Sequence, residues 1–141
     1  MASLSDDELS ALVARLRLLG TDTATVEVKS AAGGLPSTTA ETISAFGNAA
    51  GGVLILGLSE RDGFRPSDGF TASSIRDALA RVCSHDLEPP VRSDVEILPF
   101  EDASVVVLDV PPADPLTRPL HLERRGPYGG SYIRGGAGDR L

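Results

Sequence analysis

The sequence predicts one α/β (α+β) domain with a mixed β-sheet packed by about three helices. Three observations carry this. Three amphipathic segments at helical spacing are interleaved with about six short apolar or alternating runs. One run, Val53 to Leu58, is apolar throughout, as a strand buried on both faces must be. The order of elements is not a regular β-α alternation, which favours a mixed sheet over an all-parallel one. At 141 residues the chain is one domain long and buries about two-thirds of its unfolded surface without needing staples.

The elements follow in order. Ser5-x-x-Glu8 forms a capping box, and Leu9, Leu12, Val13, Leu16 and Leu19 follow at helical spacing. Gly20 stops this helix in the left-handed conformation. Residues 1–20 thus read as a helix packing on a domain of residues 21–141. Thr25 to Lys29 is a strand with Val26 and Val28 on one face and Thr25, Glu27 and Lys29 on the other. Gly33, Gly34 and Pro36 break the chain. Thr38-x-x-Glu41 predicts a second capping box, before a helix whose face carries Ile43, Phe46 and Ala50. Gly51-Gly52 turns into the apolar central strand. After a Gly/Pro/Asp-rich connection, Ile75, Leu79, Val82 and Cys83 mark a third helix, ended by Pro89-Pro90. Asp94 to Phe100, with Val95 and Ile97 on one face, and Ser104 to Val110 form a hairpin across Glu101-Asp102-Ala103. A proline-rich loop over 111–119 leads to two short strands, Leu120–Arg124 and Ser131–Arg134, with Ile133 expected inside.

Composition excludes several classes. No apolar run is long enough to span a bilayer. The acidic start, Met1 to Glu8, is unlike a signal peptide. Cys83 is the single cysteine, so there is no internal disulfide, and Cys83 with His85 would leave a metal site two ligands short. The chain reads as cytoplasmic, without a membrane partner. No G-x-G-x-x-G follows a strand, and the phosphate loop G-x-x-x-x-G-K-[ST] is absent. Zero Trp and 4% aromatics leave few platforms for stacking bases.

Charge is unevenly distributed. The net charge is −7, and 12 of the 13 basic residues are arginine; Lys29 is the only lysine. Residues 1–114 carry −10 and residues 115–141 carry +3. This excludes coating of nucleic acid by bulk charge but leaves a basic arm. Arg118, Arg124, Arg125 and Arg134, with His121 and Arg140, can grip phosphates, and Tyr132 or Tyr128 can stack a base. Lys29 can hold a phosphate as a point charge, or pair with Glu27 on the same strand face. Asn48 can cap the helix end before Gly51-Gly52, or help face backbone N–H groups toward an anion. Lys29, Asn48, Arg118, Arg124, Arg125, Tyr132 and Arg134 are the candidate nucleic-acid contacts.

Val26-Glu27-Val28-Lys29, the block from Ile43 through Phe46-Gly47-Asn48 and Gly51-Gly52 to Leu58, and Tyr132-Ile133-Arg134 resemble, in order and spacing, the Schlafen AlbA-type domain. The resemblance covers roughly residues 20–141. That family has a Glu-aromatic-Lys strand, Ala-Phe-Ala-Asn-x-x-Gly-Gly before an apolar strand, and a late Tyr-x-Arg. Val28 and Gly47 depart from the pattern. The resemblance implies a DNA-binding, non-enzymatic module of a larger bacterial transcription regulator, with downstream domains beyond this chain and no cofactor. A homodimer is a further expectation. Some Schlafen proteins cut structured RNA with three carboxylates, and the matching positions are Asp22, Glu27 and Glu60. Three such carboxylates suit Mg²⁺ or Mn²⁺, so a metal-dependent endoribonuclease is the alternative. A protein-interaction module is the third.

Overall fold

The computed structural model describes residues 4–135 and 138–140. Helix α1 (Asp6–Leu19) begins on the expected capping box. The Ser5 hydroxyl accepts from the Glu8 N–H, and the Glu8 carboxylate accepts from the Ser5 N–H. Gly20 closes it at φ 75°. Strand β1 (Val26–Lys29) and helix α2 (Thr39–Gly47) follow, then β2 (Gly52–Leu56), β3 (Leu58–Ser59) and β4 (Arg65–Pro66). Helix α3 (Ala72–Arg81) runs into a π-helical turn (Val82–Asp86). Next come β5 (Leu87–Glu88), β6 (Val95–Phe100) and β7 (Ala103–Val110). The chain ends with β8 (His121–Leu122), a 3-10 turn (Glu123–Arg125), the single turn α4 (Gly126–Gly129), β9 (Ile133–Gly135) and β10 (Gly138–Arg140).

Four strands make the main sheet in the order β1-β2-β7-β6. It is mixed, with β1 parallel to β2 and the remaining pairs antiparallel. Strand β2 is central, as its apolar run predicts. Its residues alternate between two cores. Leu54 and Leu56 face Ile43 and Phe46 of α2 and Ile75 and Leu79 of α3. Ile55 faces Leu9, Val13 and Leu16 of α1. In β7, Val106, Leu108 and Val110 belong to the first core, while Val105 and Val107 belong to the second. The result is three layers, helix over sheet over helices, with each apolar stripe buried once. Among the described residues no helix is long and apolar enough to cross a membrane.

Arg17 fastens α1 to the sheet. Its guanidinium donates to both Glu101 oxygens at 2.7 and 2.8 Å, and also to the Gly63 and Phe64 carbonyls. It lies 5.5 Å from the centroid of the Phe100 ring. Glu101 and Asp102 form the β6–β7 turn, both with positive φ. The turn has two residues rather than the expected three, because Ala103 already pairs with Phe100.

Two local expectations differ from the structure. Thr38 does not cap α2: it is in the right-handed helical region and makes no side-chain cap bond. Its hydroxyl accepts instead from Lys29 Nζ at 3.1 Å. The third helix ends at Asp86, before the two prolines. Ile97 is 37% exposed on the edge strand β6, in a groove it shares with Phe70 and the start of α3, while Val95 on the same face packs on the α3 core.

Candidate functional site

Glu27 and Lys29 project from β1 on the face away from α1, since Val26 and Val28 take the α1 side. The Glu27 carboxylate is held by two cations. Lys29 Nζ lies 3.2 Å from one oxygen and Arg134 Nη1 lies 2.8 Å from the other. These side chains are only 9% (Arg134), 11% (Lys29) and 19% (Glu27) exposed. Arg134 also donates to the carbonyls of Thr23 at 2.7 Å and Ala24 at 3.2 Å. Its guanidinium carbon sits 4.7 Å from the Phe46 ring centroid, a cation–π distance. The Glu-x-Lys strand, the Phe of α2 and the final Tyr-x-Arg thus meet at one point, where they hold each other.

A second clasp lies beside it. Asn48 Nδ2 donates to the carbonyls of Leu120 at 2.9 Å and Tyr132 at 3.0 Å, and its Oδ1 accepts from the Leu120 N–H at 2.7 Å. One turn earlier, Ser44 is fully buried. Its hydroxyl donates to Leu120 O at 2.7 Å and accepts from the Tyr132 N–H at 3.0 Å. The helix end thereby fixes two segments of the C-terminal arm. Ser44 carried no functional reading in the sequence, yet it stands four residues before Asn48, on the same helix face. Gly47 also has its reason here. A Cβ at that position would meet the end of the Leu120 side chain, so alanine there requires Leu120 to shift.

The remaining candidates lie toward solvent. Arg124 is exposed. Arg125 donates to the Tyr132 hydroxyl at 2.6 Å and lies 3.6 Å from Glu41. Arg118 donates to the carbonyls of Ala113 and Ala49 but stays exposed. His121 Nδ1 is 3.0 Å from Pro119 O. Ile133, expected inside, is 49% exposed, because it lies in a two-stranded ladder with β10 outside the main sheet. The Arg140 side chain lies outside the described residues.

The three carboxylates are neighbours without forming a ligand set. Burial, then Glu27 and Glu60, push the Asp22 carboxyl above its ordinary range, against the pull of the Val28 N–H and Arg134. Both Glu27 oxygens are already taken by cations. Among the described residues, no three His, Cys, Asp or Glu side chains are placed to hold a metal ion. As placed, these side chains do not form a Mg²⁺ or Mn²⁺ ligand set. The raised Asp22 has a consequence for stability. The folded state binds its proton more tightly than the unfolded chain does, so Asp22 costs stability as pH rises above the ordinary 3.8. Asp22→Asn is expected to raise Tm at neutral pH, with the gain vanishing below that value. Thermal melts across pH check it, and a gain independent of pH would refute it.

The family model described as Schlafen, AlbA_2 matches residues 22–141. The chain belongs to this family. No curated protein matches it. Among solved structures, it is similar to the N-terminal domain of a RecG-related protein from Nitrosomonas europaea. The identity is 26% and the TM-score 0.67, over 92% of this chain and 90% of that one. It also shares its fold with a protein from Corynebacterium diphtheriae, at 18% identity and TM-score 0.59. This chain spans about a quarter (26%) of that protein. Within the Schlafen AlbA_2 domain, the motif residues Glu27, Lys29, Phe46, Asn48 and Arg134 form the two clasps just described.

Proposed function

We propose that this Schlafen AlbA_2 domain binds nucleic acid, DNA in particular, as a non-enzymatic module of a larger regulatory protein. The observation that carries the proposal is the likeness to the Nitrosomonas domain, whose protein is named for its relation to an ATP-dependent DNA helicase. The charge layout supports it. The clasps use Arg134, Lys29 and Asn48 internally and hold the C-terminal arm against α2. Arg118, Arg124 and Arg125 are left on the surface, where guanidinium groups meet phosphates two bonds at a time. With −7 overall, binding is local and salt-sensitive.

The test is titration of labelled single-stranded and duplex DNA at several salt concentrations. Wild type is expected to bind with an affinity that falls steeply with salt. Arg118→Glu/Arg124→Glu/Arg125→Glu is expected to weaken binding at least about tenfold and to flatten the salt slope by roughly one unit for each phosphate no longer gripped. Absence of binding at low salt overturns the proposal.

A further inference from the structure

A cleft of about 580 Å³ opens on the sheet face that carries α2 and α3. It lies between the start of α2, the π-helical turn after α3 and the 3-10 turn after β8. Its volume is that of a nucleotide-sized ligand site. Neither clasp uses it. Its apolar wall comes from Leu35, Ala40 and Val82, each packed on the core yet partly open to solvent. Its charged groups are Asp86, Glu123 and Arg124, all exposed, with His85 beside them.

From this arrangement we infer that the cleft receives one unstacked nucleobase of a bound single strand, in a refinement that rests on the nucleic-acid proposal above. The charges fix which end enters. Asp86 and Glu123 repel a phosphate but accept hydrogen bonds from the exocyclic amine of adenine, cytosine or guanine. Arg124, also lining the cleft and exposed, can hold the phosphate that stays in solvent. The apolar wall substitutes for the aromatic platform that this tryptophan-free chain lacks. Thymine and uracil, which have no exocyclic amine, are the disfavoured bases.

The experiment uses a short DNA single strand carrying one 2-aminopurine, whose fluorescence rises when it leaves the stack. Wild type is expected to raise the signal several-fold on binding. Ala40→Leu, which narrows the cleft from a half-exposed helix position, is expected to lose most of the rise and about tenfold in affinity. Asp86→Asn is expected to reduce the preference over an all-thymine strand. Unchanged thermal melts show that both variants fold. Salt-dependent binding with a flat signal, and with Ala40→Leu binding as wild type, overturns the cleft inference and leaves the nucleic-acid reading standing. If no strand binds at all, that reading falls, and titration with adenosine 5′-monophosphate decides the cleft separately. Shifts of the Leu35, Ala40 and Val82 methyl resonances would support it, and their absence would overturn it.

Discussion

Replacing Glu27 with alanine is expected to destabilise the domain by about 3–5 kcal/mol, lowering Tm by roughly 10–20 °C. The cause is what the substitution leaves behind. Lys29 and Arg134, 11% and 9% exposed, would face each other without the carboxylate that lies within 3.2 Å of both. A buried charge that loses its partner is far costlier than a surface bridge, for which the loss is under about 1 kcal/mol. Adding Arg134→Met to Glu27→Ala is therefore expected to recover part of the loss, since the second change removes one of the stranded cations. Urea denaturation of both single variants and the double checks this. A Glu27→Ala loss below about 1 kcal/mol would mean that the cluster behaves as a solvated surface pair. There is a functional corollary. A nucleic-acid binding defect in Arg134 variants should track the folded fraction, whereas a defect in Arg124 variants should not.

The sheet was legible because period-2 and period-3.6 patterns act on single segments. Val53–Leu58 announces a central strand, and Ser5-x-x-Glu8 with Gly20 brackets α1 almost to the residue. The candidate site was half legible. The segments that would matter could be read, and so could the Glu27–Lys29 pair, which sits two residues apart on one strand. The partner that decides their role could not. Arg134 reaches Glu27 from 107 positions away, and nothing local distinguishes an arginine folded back onto a carboxylate from one held out for a phosphate. The same limit explains Thr38. Thr-x-x-Glu is a valid capping signal, yet the hydroxyl is taken by a lysine nine residues upstream. Arg17 shows the reverse case. No local pattern marks it, yet its guanidinium serves a turn and two carbonyls far along the chain. Local propensity sets the elements, and the long-range pairing of charge and backbone sets what the motif residues do.

Asn48 tests that distinction most sharply, because alanine and aspartate fail there for different reasons. Asn48→Ala orphans the Leu120 N–H and the Tyr132 carbonyl, although Ser44 Oγ still serves Leu120 O. Two partly buried groups without partners cost about 3 kcal/mol together. Asn48→Asp keeps an acceptor for Leu120 N–H but turns a carboxylate oxygen toward two carbonyls that need a donor. It is expected to lose at least as much as alanine at neutral pH. Protonation restores one O–H donor, so the folded-state pKa of the new carboxyl is raised. Its cost grows as pH rises above the unfolded value and shrinks below it. The gap between the two variants should therefore narrow in acid. Chemical denaturation at several pH values reads the gap. Amide exchange should meanwhile show early loss of protection over residues 120–134, the stretch this side chain holds. If Asn48→Asp matches wild type at neutral pH, the amide does not donate to Leu120 and Tyr132, and Asn48 returns to the candidates for direct ligand contact. If the exchange loss instead spreads uniformly, Asn48 supports the whole fold rather than the C-terminal arm. The surface arginines at 118, 124 and 125 would then need another element to present them.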